Sequence, residues 1–396
     1  MRPQHTPHLL DSFPVYSAGF IDAKNLVLGG GGGSSRTGVL NKLRVYSVAD
    51  DREITLVDEL ELARGEDSPM SIATNPEAGT LACGVNSPPE QLAKGENENC
   101  RVYAFKEQKL ALSGTHGTLT SGDLDDYQRI TVLSPNGDML AVGGTNSLQL
   151  LSYPSLAPIA LPIKSDAEIY DAAFSQTTLV VATTASLLVY ALPSTASKDS
   201  PAKSKKKGKE KAAGAADLEL LQTIKAPETI SKLSASDFRA AAFHPENSDV
   251  LYTVSNTIPG RSKSRKPASR QAYVCVWNTS SWKVDKVKKV ADKSITCFVA
   301  SPDGKYLAFG DSGCRIGMLD ATSLSPVATI LTAHEFPSTT LTFNPTSTLL
   351  VSGSADKVVR VVSVPAHVPK SSWTLILLIL LTIIMALLAF AAQQYA

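Results

Sequence analysis

The stretch Ile130-Thr-Val-Leu-Ser-Pro-Asn-Gly-Asp-Met-Leu-Ala-Val-Gly-Gly144 joins two apolar runs through a polar turn. Short apolar runs separated by Ser, Pro, Asn and Gly are typical of two strands joined in a hairpin. The same arrangement recurs at Ile295–Gly310 and Thr340–Gly353, and weaker copies centre on Leu26, Leu81, Leu179 and Leu251. The chain therefore contains seven copies of one strand–turn–strand unit.

Each copy is followed by a further strand-like run, such as Leu148–Tyr153 or Tyr273–Trp277. Repeats of about 40–60 residues made of four short strands are the blades of β-propellers. The turns Ser134-Pro-Asn-Gly137 and Ser301-Pro-Asp-Gly304, and Ala333-His334 before the last copy, resemble those of the WD-repeat family, although the Trp-Asp dipeptide is missing. The sequence predicts an all-β, seven-bladed, WD-repeat-like β-propeller.

The last copy supplies three strands, at 341–343, 349–352 and 358–364. A ring of blades has no unpaired edge when its first and last segments share a blade. We therefore expect the N-terminal segment His8–Phe13 to donate the fourth strand and to close the ring.

Residues 373–392 form an apolar run of 20 residues without a charge, the length of a helix that spans a bilayer. The predicted organisation is a cytosolic propeller over 1–366, a single C-terminal transmembrane helix over 373–392 and a lumenal tail over 393–396. Within the propeller we expect a disordered lysine-rich insertion at 193–217 and a basic loop at 258–271, on opposite faces.

Composition and motif searches exclude several classes of function. The formal net charge of +1 over 396 residues argues against nucleic-acid binding. The six histidines include no H-E-x-x-H and no pair four residues apart, and the acidic cluster Asp123–Asp126 lacks further ligands at metal-binding spacing. We predict neither a hydrolytic site nor a small-molecule substrate. Cys83, Cys275 and Cys297 lie in apolar runs and are predicted to be buried free thiols.

The segment from Asn25 to Val48 has strand-like ends and five consecutive glycines, Gly29 to Gly33, between them. Glycines can adopt backbone conformations closed to other residues and can bring their carbonyls close to an ion or a partner. The spacing from Gly33 to Gly38 matches a phosphate-binding loop, but Val39 and Leu40 replace its Lys and Ser/Thr, and no helix follows. A flexible surface hairpin is the alternative interpretation.

The order of strands in a blade predicts which loops meet. Links between second and third strands, and links from one blade to the next, lie on one face. The glycine loop, the loop 86–99 and the basic loop belong to the first kind, and Gly65–Pro69 belongs to the second. We expect the glycine loop to lie next to Gly65–Pro69.

The glycine loop ending Gly38-Val-Leu-Asn-Lys-Leu43, the link Asp67-Ser-Pro69 and the C-terminal apolar run together resemble the SEC12-like family of endoplasmic-reticulum guanine-nucleotide exchange factors. This family acts on the small GTPase of the COPII coat and includes the prolactin regulatory element-binding protein. The resemblance implies a regulator at the endoplasmic-reticulum membrane that performs no covalent chemistry. Leu40 stands where the family often has proline, which would have fixed one backbone angle.

The resemblance also implies a set of site residues. The positions implied to be catalytic are Gly38, Val39, Leu40, Asn41, Asp67 and Pro69. A potassium ion is implied at the backbone carbonyls of Gly29, Gly30, Gly31, Gly32 and Gly33. Carbonyl ligands suit a monovalent cation, whereas calcium would require carboxylates, which this loop lacks.

An exchange factor needs no nucleophile, because it binds the nucleotide-free GTPase more tightly than the loaded form. We expect Val39 and Leu40 to make apolar contacts with the GTPase and the Asn41 side chain to hydrogen-bond to its displaced switch backbone. Asp67 is expected to brace the loop. A non-catalytic, membrane-anchored propeller scaffold is the alternative function.

Overall fold

The computed structural model describes residues 3–34, 38–119, 122–123, 125–193, 216–259, 270–365, 377–378 and 380–385. The chain divides into two compact units, Met1–Val364 and Pro365–Ala396. All the strands belong to the first unit.

Seven four-stranded antiparallel sheets follow one another along the chain, which confirms the predicted seven-bladed propeller. Strand β1 (His5–Leu9) precedes blade one, which contains β2 (Val15–Phe20), β3 (Asn25–Gly30), β4 (Lys42–Val48) and β5 (Ile54–Glu61). Blade two contains β6 (Ser71–Asn75), β7 (Thr80–Gly84), β8 (Cys100–Lys106) and β9 (Lys109–His116). Blade three contains β10 (Ile130–Leu133), β11 (Met139–Gly143), β12 (Ser147–Ser152) and β13 (Ile163–Lys164).

The remaining blades repeat this order. Blade four contains β14 (Ile169–Phe174), β15 (Thr178–Thr183), β16 (Leu187–Ala191) and β17 (Leu220–Ile224). Blade five contains β18 (Ala235–His244), β19 (Asn247–Ile258), β20 (Ala272–Asn278) and β21 (Lys283–Ala291). Blade six contains β22 (Ile295–Ala300), β23 (Tyr306–Asp311), β24 (Ile316–Asp320) and β25 (Pro326–Ile330). Blade seven contains β26 (Ser338–Phe343), β27 (Leu349–Ser354) and β28 (Val358–Ser363) together with β1. Two single-turn helices, α1 (Pro89–Leu92) and α2 (Glu228–Ser231), lie in links between strands.

The N-terminal strand closes the ring. Strand β1 pairs antiparallel with β28, from His5 opposite Val362 to Leu9 opposite Val358. The predicted donation is confirmed, but the strand ends at Leu9 and does not extend to Phe13. Leu10 and Phe13 instead turn into the core between blades seven and one, where they are buried.

Alternating apolar residues of neighbouring blades form the core between them. Between blades one and two, for example, Val27 and Leu43 pack in one cluster with Leu81 and Tyr103. The five cysteines are free, and Cys83 and Cys275 are buried as predicted, whereas Cys297 is partly buried. The packing fixes the angle between blades and therefore the positions of the loops on each face.

Three predicted segments fall largely outside the described residues. The lysine-rich insertion lies between β16 and β17. The basic loop lies between β19 and β20, and its first residue, Ile258, is the last residue of β19. Residues 194–215 and 260–269 of these segments are not described. Residues 377–378 and 380–385 of the predicted transmembrane segment are helical, and the tail 393–396 is not described. Among the described residues, none forms a helix with the length and apolar character needed to cross a membrane.

Candidate functional site

The first two glycines of the run belong to a strand. Gly29 and Gly30 are the last residues of β3 and pair with Leu43 and Lys42 of β4. A Cβ at Gly30 would lie 2.1 Å from the carbonyl oxygen of Pro14, and one at Gly29 would lie 2.4 Å from Ser17 Oγ. These glycines are required by close packing between strands. The structure therefore corrects the predicted five-glycine bend to Gly31–Gly33.

The bend begins at Gly31, whose φ of +139° strongly favours glycine. Its amide donates to the carbonyl oxygen of Pro14 at 3.0 Å. A Cβ at this position would lie 2.3 Å from Asn41 Oδ1 and 2.7 Å from the carbonyl oxygen of Leu40. The two ends of the loop are therefore packed directly against each other.

The Asn41 side chain connects the bend to the link between blades one and two. Its Oδ1 accepts hydrogen bonds from the amide of Gly33 at 2.9 Å and from the hydroxyl of Ser68 at 2.7 Å. Its Nδ2 donates to the carbonyl oxygens of Gly33 at 2.9 Å and Glu66 at 2.7 Å. All four bonds are internal, which corrects the expectation that this amide is offered to a partner. In this conformation Asn41 is a positioning residue.

Asp67 caps the same loop. Its carboxylate accepts hydrogen bonds from the backbone amides of Ser68, at 2.7 Å, and Ser34. Burial raises the pKa of Asp67, and the two amides partly oppose that shift. The backbone of Asp67 is held in turn by a 3.0 Å hydrogen bond from its amide to the carbonyl oxygen of Asn86 in blade two. These contacts brace the loop, and the catalytic role implied for Asp67 stays a prediction.

Pro69 is buried, and its carbonyl oxygen accepts the hydroxyl of Ser17 at 2.6 Å. A Cβ at Gly29 would lie 2.7 Å from Pro69 Cβ, so the ring packs on the strand below it. Blade one covers Pro69, so its side chain supports the link, and the catalytic role implied for it stays a prediction. Its neighbour Ser68 is fully buried and accepts from the Gly33 amide at 3.0 Å.

An ion pair anchors the link to blade two. Arg101 Nη2 lies 2.6 Å from Glu66 Oε1, and the second oxygen of Glu66 accepts the amide of Ala63 at 2.7 Å. Both charged side chains are largely buried, at 8% and 13% exposure, so the pair has a fixed geometry. Sequence reasoning missed Arg101 and Ser68. Ser68 could have been predicted, because it lies inside the predicted link Gly65–Pro69. The sequence around Arg101 contains no motif that would have indicated its role.

The tip of the loop is exposed above this braced base. Leu40 is 52% exposed, and a Cβ at Gly38 would meet open space. Residues 35–37 are outside the described part of the chain. The prediction that Val39 and Leu40 are both exposed is confirmed for Leu40, whereas Val39 is half-buried. The loop therefore exposes the apolar side chain of Leu40, while hydrogen bonds of the adjoining Asn41 hold the base of the loop in place.

One cluster resembles a hydrolytic triad but is closed to substrates. His334 Nδ1 lies 3.1 Å from Asp356 Oδ2, and Nε2 lies 2.8 Å from Ser352 Oγ. Ser352 is fully buried within β27, and burial lowers the pKa of His334. The cluster joins the link before blade seven to β27 and to the turn between β27 and β28. Among the described residues, no group of three or more His, Cys, Asp or Glu could hold a metal ion.

Comparisons with known proteins agree with this fold. The family model "WD domain, G-beta repeat" matches residues 324–363. The guanine nucleotide-exchange factor SEC12 of Candida glabrata is 27% identical over 147 residues, which cover 36% of this chain and 32% of that protein. SEC12-like protein 2 of Arabidopsis thaliana is 23% identical over 335 residues, or 82% of this chain and 72% of the relative. The chain thus matches about a third of the length of the Candida glabrata protein. Together with the seven-bladed propeller, these similarities agree with the resemblance of the chain to SEC12-like proteins.

Proposed function

We propose that the chain is a guanine-nucleotide exchange factor for the small GTPase that initiates COPII coat assembly. The observation that carries the proposal is the braced glycine loop with the exposed Leu40 at its tip, in a chain similar to a named exchange factor. The loop releases nucleotide by stabilising the nucleotide-free GTPase, so that switch segments ordered by phosphate and Mg²⁺ are displaced. No covalent step is required.

Bracing matters because a flexible loop loses entropy when it binds. Preorganisation removes that loss, and each immobilised side chain otherwise costs about 0.5–1.5 kcal/mol. A proline at position 40 would supply such rigidity, but this chain has leucine there. The four internal hydrogen bonds of Asn41 replace that constraint from the adjoining position. Leu40 then supplies apolar contact area without a prior ordering step.

Nucleotide release is the direct test. The full-length chain in detergent should accelerate the loss of a fluorescent GDP analogue from the COPII GTPase and leave an unrelated small GTPase unaffected. Leu40→Ala should slow this release about tenfold, which corresponds to about 1.4 kcal/mol. Leu9→Ala is the matched control, because Leu9 is 70% exposed on β1. Binding of the GTPase without faster release would favour the scaffold function.

We also propose that the chain acts at the endoplasmic-reticulum membrane, with the propeller cytosolic and the C-terminus lumenal. The uncharged run 373–392 and the similarity to SEC12-like proteins support this location. An anchor would confine the exchange activity to the membrane on which the coat assembles.

A potassium ion at the bend is a further part of the proposal. The oxygens suited to it are the carbonyls of Gly31 to Gly33 and the carboxylate of Asp67, which lies 3.4 Å from where a Cβ of Gly33 would stand. The carbonyls of Gly29 and Gly30 belong to strand residues and are removed from the predicted ligand set. A single carboxylate among carbonyls suits a monovalent cation better than calcium.

Replacing K⁺ with Li⁺ at constant ionic strength should slow exchange by about tenfold, since Li⁺ is too small for ligands spaced for potassium. The release assay measures this directly, and the intrinsic nucleotide release of the GTPase in each salt is subtracted. Equal acceleration in both salts would remove the ion from the mechanism and leave the braced loop sufficient by itself.

A further inference from the structure

The central channel opens on the same face as the glycine loop. A cavity of about 530 Å³ occupies its mouth, lined among others by Tyr16, Arg129, Tyr170, Arg239 and Phe336. Tyr16 lies close enough to Asp67 for that carboxylate to add to the effect of burial in raising the pKa of the Tyr16 phenol. The mouth and the loop are therefore adjoining parts of one surface.

One of the two guanidinium groups in the mouth is already neutralised. Arg129 forms an ion pair with Glu168 and lies over the ring of Tyr127, with 5.1 Å from its Cζ to the ring centroid. Its Nε is buried and hydrogen-bonds to no described residue. Arg129 therefore lines the mouth with a side chain whose charge is balanced by Glu168. It also offers one N–H donor, Nε, that has no partner among the described residues.

Arg239 is held in place and forms no direct ion pair with a described residue. Its Nη2 donates to the carbonyl oxygen of Thr296 at 2.6 Å, and its Cζ lies 4.9 Å from the centroid of the Tyr170 ring. None of the ion pairs among the described residues involves Arg239. The Tyr170 ring and the hydrogen bond from Nη2 fix the plane of the Arg239 guanidinium. Its remaining N–H groups are therefore positioned to donate to a carboxylate.

The buried carboxylate of Asp171 interacts electrostatically with Arg239, but its hydrogen bonds are made to backbone amides. Its oxygens accept the backbone amides of Ala172 at 2.9 Å and Ala241 at 3.0 Å. It therefore ties β14 to β18, deeper in the channel than the mouth. Because Arg239 and Asp171 form no direct ion pair, the guanidinium of Arg239 can still bind a group that arrives from the loop face.

An apolar rim stands beside this charge. Phe336, in the link between β25 and β26, lines the cavity and is 56% exposed. Large apolar side chains that fold exposed next to a cavity indicate a contact surface. An unpaired guanidinium beside an aromatic rim is complementary to an acidic side chain carried on an apolar segment of protein.

We propose that the channel mouth binds an acidic side chain of the small GTPase, with Arg239 as its ligand and Phe336 packing against the flanking segment. The inference rests on the proposed function, because continuity with the glycine loop is what selects the GTPase as the occupant. The mouth provides affinity and orientation, while the loop acts on the nucleotide site.

The test separates binding from exchange by measuring KM and kcat for the GTPase with the full-length chain. Arg239→Glu should raise KM by about tenfold or more with kcat within about twofold, because a contact made throughout the reaction affects KM alone. Phe336→Ser should raise KM by about fivefold. Lys24→Glu is the matched charge control, since Lys24 is exposed in the turn between β2 and β3 on the opposite face.

Thermal melting of each variant accompanies the kinetics. If the melting temperature of Arg239→Glu is much lower than that of the wild type, the KM of Phe336→Ser tests the inference instead. Phe336 is exposed, so its replacement should change the stability of the fold little. A wild-type KM for both variants would overturn the inference about the mouth and leave the exchange function intact. A wild-type chain that fails to accelerate release would overturn both proposals.

Discussion

Asn41→Ala is expected to slow nucleotide exchange by about a hundredfold, equivalent to about 2.7 kcal/mol. The substitution removes four hydrogen bonds, each worth about 0.5–1.5 kcal/mol net, that hold the bend against the link at Glu66 and Ser68. The loop can then open locally while the blades stay folded, so the melting temperature should fall only slightly. Release kinetics and thermal melting on the same variant measure the two effects.

Hydrogen exchange at the Gly33 amide distinguishes bracing from partner contact. This amide donates to both Asn41 Oδ1 and Ser68 Oγ, so it should lose protection in Asn41→Ala before any GTPase is added. Asn41→Asp keeps the acceptor oxygen but loses both donors and adds a charge near Asp67, and it should be impaired as well. Unchanged protection at Gly33 together with slow release would return Asn41 to a direct role at the GTPase.

Asn25→Ala provides the matched control. Asn25 begins β3 in the same blade, and its Nδ2 donates to Asp22 Oδ2 at 2.7 Å on the opposite face. Loss of this bond should cost about 1 kcal/mol of unfolding free energy and leave exchange unchanged. Slow exchange in this variant would mean that blade one as a whole, and not the bend, sets the rate.

The propeller could be predicted because its signals are local. Turns such as Ser134–Gly137 specify a hairpin within a few residues. Seven repeats of one hairpin are compatible with only a few folds, of which the β-propeller is one. The order of strands in a blade also assigns the loops to faces, and it predicts that the glycine loop lies beside Gly65–Pro69. The hydrogen bond from Asn41 Nδ2 to the carbonyl oxygen of Glu66 bears out that adjacency.

The site was predicted less completely, because its decisive contacts join residues far apart in sequence. A run of glycines does not reveal which members serve a strand, and the need for Gly30 arises from Pro14, the residue before the neighbouring strand β2. The salt bridge of Glu66 with Arg101 spans 35 residues. The exposed Leu40 was foreseeable from an apolar residue in a loop, whereas the internal bonding of Asn41 depended on the exact path of that loop.

Gly31→Ala is expected to reduce exchange at least as much as Asn41→Ala. The new methyl group would lie 2.3 Å from Asn41 Oδ1 and 2.6 Å from Asn41 Cα, and the backbone φ of +139° is strained for any side chain. The bend must shift, and the Asn41 amide loses its partners when it does. Gly79→Ala is the control, since Gly79 also has a positive φ, of +61°, but its Cβ would meet only Phe105 O, at 3.4 Å. That control should cost about 1 kcal/mol of stability and leave exchange unchanged.

The double variant Gly31→Ala/Asn41→Ala tests whether both residues act through one brace. Residues in one hydrogen-bonded network are not additive, so the double variant should exchange no more slowly than the slower single variant. Shortening Asn41 also removes the oxygen with which the new methyl group collides, which should restore part of the stability lost in Gly31→Ala. A double variant slowed by the product of the two single effects would contradict a shared brace. Gly31 would then act separately, and its carbonyl would be the first ligand to examine for the proposed potassium ion.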